Sequence, residues 1–251
     1  MAYEIVKIDD TTWTIENIMG GGSLVRIFLL AGKDKALMID AGIDTKDAKE
    51  ICEGILKEAG LELPMIFAIT HAHGDHLAGA GAFEDFYVTK EDFEAFNLKS
   101  QYPNANLVPI YEGYVFDLGE RKVEVFENPG HTPGSVAFLD EEHRFLITGD
   151  SVQDGHVYMF GDTCKADKFG DSLVALAKKT EGKFDKLYGC HGSAPLGPDQ
   201  IMKVHDAWVK VQKFVNNEAT AEELGISFTE SEMNGKKVRD FNCKDCFFFY
   251  G

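Results

Sequence analysis

His71-Ala72-His73-Gly74-Asp75-His76 places three of the chain's eight histidines and one carboxylate within six residues. The segment follows directly on an apolar stretch at residues 65–70 bounded by Pro64. A continuous apolar run of that length between turn signals reads as a fully buried strand. The end of such a strand holds the next turn rigidly, and rigid donors bind a cation more tightly than mobile ones. His71 and His73, two residues apart in an extended turn, can face one side, while Asp75 and His76 turn toward a different point. One short segment can thereby serve two neighbouring cations, with Gly74 permitting the tight backbone between the pairs.

Further donors stand at strand-to-loop transitions, where site residues concentrate. His131 lies in Asn128-Pro129-Gly130-His131-Thr132-Pro133-Gly134, among residues that make rigid turns. Asp150 follows Gly149 at the end of the apolar run 145–148, and His191 follows residues 186–188 in Gly189-Cys190-His191-Gly192. A lone histidine is more often structural than functional. His143, in a polar turn, and His205, inside a helical pattern, are read that way. Five histidines at strand ends together with two aspartates are not explained so.

In type, order and context, His71-x-His73-x-Asp75-His76, then His131, Asp150 and His191, resemble the complete metal signature of the metallo-β-lactamase superfamily. Asp40, in Met38-Ile39-Asp40-Ala41-Gly42, matches that family's earlier acidic motif, and the resemblance spans roughly residues 13–195. Histidine at position 76 points to the glyoxalase II-like branch rather than the β-lactamase branch, which carries Arg there. The resemblance implies an α/β fold, a four-layer αβ/βα sandwich with its metals in a cleft at one edge between the two sheets. It implies one metal held by His71, His73 and His131, a second held by Asp75, His76 and His191, and Asp150 bridging them. Asp40 is expected behind the site, accepting a hydrogen bond from a ligand histidine. Nitrogen and oxygen donors suit two divalent ions, with zinc the default and iron(II) or manganese(II) also compatible.

Two such cations, about 3.5–4 Å apart, lower the pKa of a shared water enough to give hydroxide near neutral pH. The expected enzyme is therefore a binuclear metallo-hydrolase acting on a small ester-like substrate: a thioester, lactone or amide. Asp75 doubles as the catalytic residue that orients the water or takes its proton. His156 and Tyr158, on the loop after Asp150, are candidate substrate contacts. Two other chemistries use related centres: a phosphodiesterase acting on a small nucleotide, and a mononuclear-iron oxidoreductase of the persulfide dioxygenase kind. A flavodiiron-type reductase is disfavoured, because no flavodoxin-like domain is present and position 73 is His rather than Glu. A non-catalytic binding module would be favoured by missing ligands, and none is missing. Ser135 stands where glyoxalase II-like sequences often carry another histidine, and no basic cluster near the C-terminus suits the carboxylates of glutathione. Both count against that particular thioesterase.

The rest of the chain sets bounds. Its 251 residues, 44% hydrophobic, read as a single metallo-hydrolase domain, 1–251, with 218–251 a short C-terminal extension. A formal net charge of −17 disfavours long nucleic acid, and the short clusters Lys178-Lys179 and Lys236-Lys237-Val238-Arg239 read as solvated surface. The expected partner is a small-molecule substrate, with no membrane and an oligomeric state left open. Residues 1–7 show no basic segment followed by an apolar one, and no apolar run approaches the roughly 20 residues of a spanning helix. Five widely spaced cysteines argue against a disulfide framework and for a reducing compartment, the cytoplasm. Cys243-x-x-Cys246 lacks a partner motif and reads as structural, and Cys190 as packing behind a ligand.

Periodicity places strands at 25–30 and 36–39, joined as a hairpin, then a helix capped by Asp44 and running to about residue 58. Short strands are expected at 86–89, 107–110, 114–117, 123–127, 135–139, 144–148 and 186–188. Helices are expected at 91–98, 171–179 and 198–216, a loop after Asp150, and an aromatic run at 247–250 that packs rather than dangles.

Overall fold

The computed structural model describes residues 2–18, 24–233 and 235–251; Met1 of the N-terminal segment lies outside them. In the strand Leu24–Ala31, Ile27 and Leu29 join one hydrophobic cluster, and Phe28 and Leu30 another. Successive side chains of a strand point to opposite faces, so this strand is covered on both sides.

It is β3 of a seven-stranded sheet. The sheet runs β1 (Ala2–Asp9), β2 (Thr12–Ile18), β3, β4 (Ala36–Ile39), β5 (Met65–Ala68), β6 (Asp85–Val88) and β7 (Asn106–Pro109), in chain order. Pairing is antiparallel from β1 to β4 and parallel from β4 to β7. Next in the chain come β8 (Val115–Asp117), β9 (Lys122–Glu127), β10 (Val136–Asp140), β11 (Phe145–Ile147), β12 (His156–Met159) and β13 (Lys186–Tyr188). All but β12 form a five-stranded sheet ordered β13-β11-β10-β9-β8. Strand β12 instead begins a four-stranded sheet with β14 (Ser227–Met233), β15 (Lys236–Asn242) and β16 (Phe247–Tyr250), ordered β12-β16-β15-β14.

The two larger sheets face each other through Phe28, Leu30, Leu37 and Ile39 on one side and Val125, Val136, Phe138 and Ile147 on the other. Helices cover the outer faces. On the first sheet, α1 (Ala48–Glu58) sets Cys52, Ile55 and Leu56 against Trp13, Ile27 and Phe67. The short helices α2 (Lys90–Ala95) and α3 (Leu98–Gln101) pack beside it. On the second sheet, α4 (Ala166–Thr180) and α5 (Gln200–Val215) pack Phe169, Leu173, Val204 and Trp208 onto Ala137, Leu139 and Leu187. A one-turn helix, α6 (Ala221–Leu224), leads into β14. The result is the expected α/β sandwich of four layers.

Several local expectations need correction. Asp44 does not cap α1: it has φ 54°, in the left-handed region, and the helix starts four residues later behind Asp47. The helix expected at 91–98 is two helices, because Asn97 adopts φ 49° and interrupts the backbone ladder between them. The loop expected after Asp150 contains β12, which pairs in parallel with β16 from His156↔Phe247 to Met159↔Tyr250. Residues 218–251 thus share a sheet with the middle of the chain. Phe248 is fully buried, with its ring 5.3 Å from that of Trp208 and 6.2 Å from that of Phe169. Among the described residues no helix is long and apolar enough to cross a membrane.

Candidate metal centre

The singled-out side chains converge where strand ends of both sheets meet at one edge. His71 and His73 follow β5, and Gly74–His76 forms a single 3-10 turn whose His76 N–H donates to the His73 carbonyl at 3.1 Å. Gly74 is not required for this turn. It lies outside the left-handed region, and a Cβ there would meet nothing within 4 Å. His131 sits on the β9–β10 connection, Asp150 after β11, and His191 after β13. Gly149, before Asp150, is constrained: it has φ +56°, and a Cβ would come within 2.9 Å of Thr70. Its smallness lets the β5 and β11 ends approach.

Two groups result. His71, His73 and His131 form one, and Asp75, His76, Asp150 and His191 form the other, the donor atoms of each lying within 4.8 Å of one another. Asp150 faces both. Its Oδ2 is 3.1 Å from His191 Nε2, 3.7 Å from His131 Nε2 and 3.9 Å from His71 Nε2, while Oδ1 is 3.6 Å from His76 Nε2. Asp75 Oδ2 is 3.4 Å from His191 Nε2 and 3.6 Å from His76 Nε2.

The far nitrogens of four histidines are tied to acceptors, which fixes the tautomers. His131 Nδ1 donates to the Tyr158 carbonyl at 2.8 Å, and His191 Nδ1 to the Leu24 carbonyl at 2.6 Å. His76 Nδ1 donates to Asp40 Oδ2 at 2.9 Å. Thr70 Oγ1 gives its own proton to Asp40 Oδ2 at 2.8 Å, so it accepts from His71 Nδ1 at 3.0 Å. In each of these four rings the Nδ1 proton is thus directed outward from the cluster. The inward Nε2 atoms of His71 and His131 lie 3.2 Å apart, and His73 Nδ1 is 2.9 Å from His131 Nε2. The Nε2 atoms of His71 and His131, both without a proton, repel at that distance unless a cation lies between them. Among the described residues, His76 Nε2 and Asp150 Oδ1 are buried without a hydrogen-bond partner. Orphaned buried polar atoms cost free energy, and coordination removes that cost. The donor set fits divalent metal ions.

The electrostatics divide the same way. Burial, reinforced by the neighbouring imidazoles, holds His71 well below the usual histidine range, and burial with His131 brings His73 down to about 3. Burial likewise lowers His131. All three are neutral, the form that binds metal. For His76 and His191 burial pulls the same way but is outweighed by Asp150 and nearby carboxylates. His76 rises well above its ordinary value and His191 reaches about 10. Burial would raise Asp150, but His191 and His76 hold it well below the usual carboxylate range. This half of the cluster demands positive charge.

Behind the donors, Asp40 also accepts from the Thr70 N–H at 2.7 Å and from Cys190 Sγ at 3.2 Å. Burial pushes the Cys190 thiol up, so it stays a neutral donor. Arg26 on β3 clamps the His191 loop through the carbonyls of Gly189 at 3.0 Å and Gly192 at 2.8 Å, and pairs with Glu16 at 2.8 Å. Thr70, Arg26 and the carbonyls of Leu24 and Tyr158 were not found by sequence reasoning. A carbonyl carries no residue identity, so no sequence signal could have marked the last two.

A cavity of about 900 Å³ opens onto the cluster, within the range of small-molecule sites. His156 and Tyr158 both line it, with Leu24, Phe160 and Asp154. His156 pairs with Asp240 at 3.1 Å and stacks on Phe247 at 4.9 Å. The Tyr158 ring joins those of Phe160 and Phe249 in an aromatic wall with centroids 5.4–5.9 Å apart. His143 and His205 lie outside the cluster, bonded to Asp140 at 3.2 Å and Asp206 at 2.9 Å. Ser135 Oγ accepts from the Thr132 N–H at 3.0 Å, a turn contact away from the donor atoms.

A family model described as the metallo-beta-lactamase superfamily matches residues 20–191. An acyl-coenzyme A thioesterase of Gallus gallus is 28% identical over 178 residues, 57% of this chain and 63% of the relative. The mitochondrial persulfide dioxygenase of Homo sapiens is 30% identical over 131 residues, 50% of this chain and 47% of the relative. The chain thus spans less than two thirds of the length of these relatives. Among solved structures, a metallo-beta-lactamase from Pontibacter korlensis superposes with a TM-score of 0.66 at 16% identity, covering 80% of this chain and 96% of that one.

Proposed function

This chain belongs to the metallo-beta-lactamase superfamily, and from that premise we propose that it is a binuclear metallo-hydrolase of small ester-like substrates, thioesters foremost. The observation that carries the proposal is Asp150. Its two oxygens reach donors of both groups, and one of them is orphaned in burial beside the equally orphaned His76 Nε2. In this reading His71, His73 and His131 would hold one ion, Asp75, His76 and His191 would hold the other, and Asp150 would serve both. Zinc suits the set, and His76 favours the glyoxalase II-like branch.

When bound, such a pair of ions supplies Lewis acidity, lowering the pKa of a water and polarising a substrate carbonyl. The chain's own residues do the rest. Asp75, partly exposed to the cavity and bonded to His191, orients the attacking water and accepts its proton. Tyr158 and Phe160 hold the apolar end of the substrate, and β12 excludes water from that side. Lys and Arg are missing from the described lining residues, which suits an uncharged acyl group at the reacting end. The thioesterase relative supports the thioester preference. In the same reading, residues 1–251 act as one metallo-hydrolase domain in which the extension at 218–251 backs the cavity wall by pairing β16 with β12. The five free cysteines support a reducing compartment such as the cytoplasm.

The persulfide dioxygenase relative motivates a second reading, a mononuclear iron oxidoreductase. The compact second group of donors favours two ions over one. Elemental analysis of purified protein, run beside a panel of thioester, lactone, amide and phosphodiester probes, decides. About two ions per chain with thioester turnover is expected. One iron per chain, or a fully loaded protein inert on the whole panel, overturns the proposal.

A further inference from the structure

Asp92 is a fully buried carboxylate on the first turn of α2, outside the sequence motif and outside both donor groups. Its partners lie in two separate loops. Oδ2 accepts from the Ala72 N–H at 2.9 Å, and Ala72 stands between His71 and His73. The same oxygen accepts from Thr132 Oγ1 at 2.8 Å, and Oδ1 accepts from the Gly134 N–H at 2.6 Å, both in the loop that carries His131. One side chain therefore clasps the two loops that present His71, His73 and His131.

The clasp is built into α2 as a whole. Thr89, the residue capping this helix, donates from Oγ1 to the Gly134 carbonyl at 2.9 Å. Gly134 is glycine of necessity, since a Cβ would collide with Thr89 Oγ1 and come within 2.8 Å of the Asp92 N–H nitrogen. At the far end of α2, Phe96 sets its ring 5.3 Å from that of His73. Among the described residues no such contact runs from α2 to Asp75, His76, Asp150 or His191.

We propose that Asp92 is a positioning residue that sets the spacing of the His71, His73 and His131 donors, so that α2 tunes one of the two metal positions and leaves the other alone. The inference rests on the reading of those histidines as metal ligands. The unprotonated Nε2 atoms of His71 and His131, 3.2 Å apart, repel one another, so the loops that carry them separate unless tied. A carboxylate accepting one bond from the first loop and two from the second opposes that separation. Burial raises Asp92 to about 6, which still leaves it ionised at neutral pH. A charged acceptor forms the stronger bonds.

The test is zinc affinity, measured by competition with a chromophoric chelator in two backgrounds. His191→Ala retains the three-histidine group, and His73→Ala retains the other. Adding Asp92→Asn should weaken zinc about tenfold or more in the His191→Ala chain, the effect usual for groups that orient ligands. In the His73→Ala chain it should change zinc affinity by less than about twofold, well under that usual effect. Thr132→Val, which removes one of the three bonds and keeps the side-chain shape, should show the same selectivity at smaller size. It decides the matter alone if Asp92→Asn does not fold. Equal weakening in both backgrounds, or none in the His191→Ala chain, overturns the positioning role. Failure of the unsubstituted chain to bind zinc overturns the metal reading itself, a distinct result.

Discussion

Replacing Asp40 by asparagine should weaken both the fold and the metal site, and its size follows from four contacts. The carboxylate is fully buried and accepts from the Thr70 N–H at 2.7 Å, Thr70 Oγ1 at 2.8 Å, His76 Nδ1 at 2.9 Å and Cys190 Sγ at 3.2 Å. Asparagine tolerates the φ of 62° found here, so backbone strain contributes little. Its one carbonyl oxygen can take the place of Oδ2 and keep three donors. The amide NH2 then faces the Thr70 N–H, leaving two buried donors opposed at about 1–3 kcal/mol. Losing the charge on the acceptor for His76 adds about 1 kcal/mol, the difference between charged and neutral hydrogen bonds. The sum is about 2–4 kcal/mol, or a melting temperature lower by about 4–16 °C for a chain of this size. Zinc affinity should fall about tenfold to a hundredfold, because the His76 ring loses its anchor. Urea unfolding of chelator-treated protein measures the first quantity, and zinc competition on folded protein the second. A change below about 0.5 kcal/mol, the range of neutral surface substitutions, with unaltered zinc affinity would refute the assignment of Asp40 as the support of His76.

Two further substitutions probe other parts. His73→Ala should leave circular dichroism unchanged, lower bound metal to about one ion per chain, and abolish hydrolysis of thioester and lactone probes. Full activity in that variant would show that the three-histidine group is not part of the catalyst. Phe248→Ala, which empties the contact with Trp208 and Phe169, should cost about 3–5 kcal/mol in denaturant unfolding. A cost under about 1 kcal/mol, well short of a buried aromatic deletion, would mean that β16 does not secure the C-terminal sheet.

The donors were legible because their chemistry is written in residue identity, and because each follows an apolar run that reads as a strand. What supports them was not. Asp92 sits in an ordinary charged helix turn, and its importance lies in three bonds to residues 20, 40 and 42 positions away. Strand β14 has almost no apolar pattern to detect, since nearly every residue in it is exposed. Strand β12 is four residues long in a stretch rich in Gly and Asp, and its pairing with β16 spans about ninety positions. Asp44 looked like a cap because aspartate favours both caps and left-handed turns, and local sequence does not separate the two.

The pairing of β12 with β16 also fixes an order of events during synthesis. Strand β12 has one neighbour in its sheet, β16, and the Tyr158 carbonyl on β12 holds the ring of His131. A chain still being extended on the ribosome carries six of the seven donors by the time Asp150 emerges, yet the backbone that aims His131 stays unpaired until residues 247–250 follow. The aim of His131 therefore depends on a strand about ninety positions beyond the carbonyl that holds it, so a nascent chain presents its histidines before the backbone that orients His131 is in place.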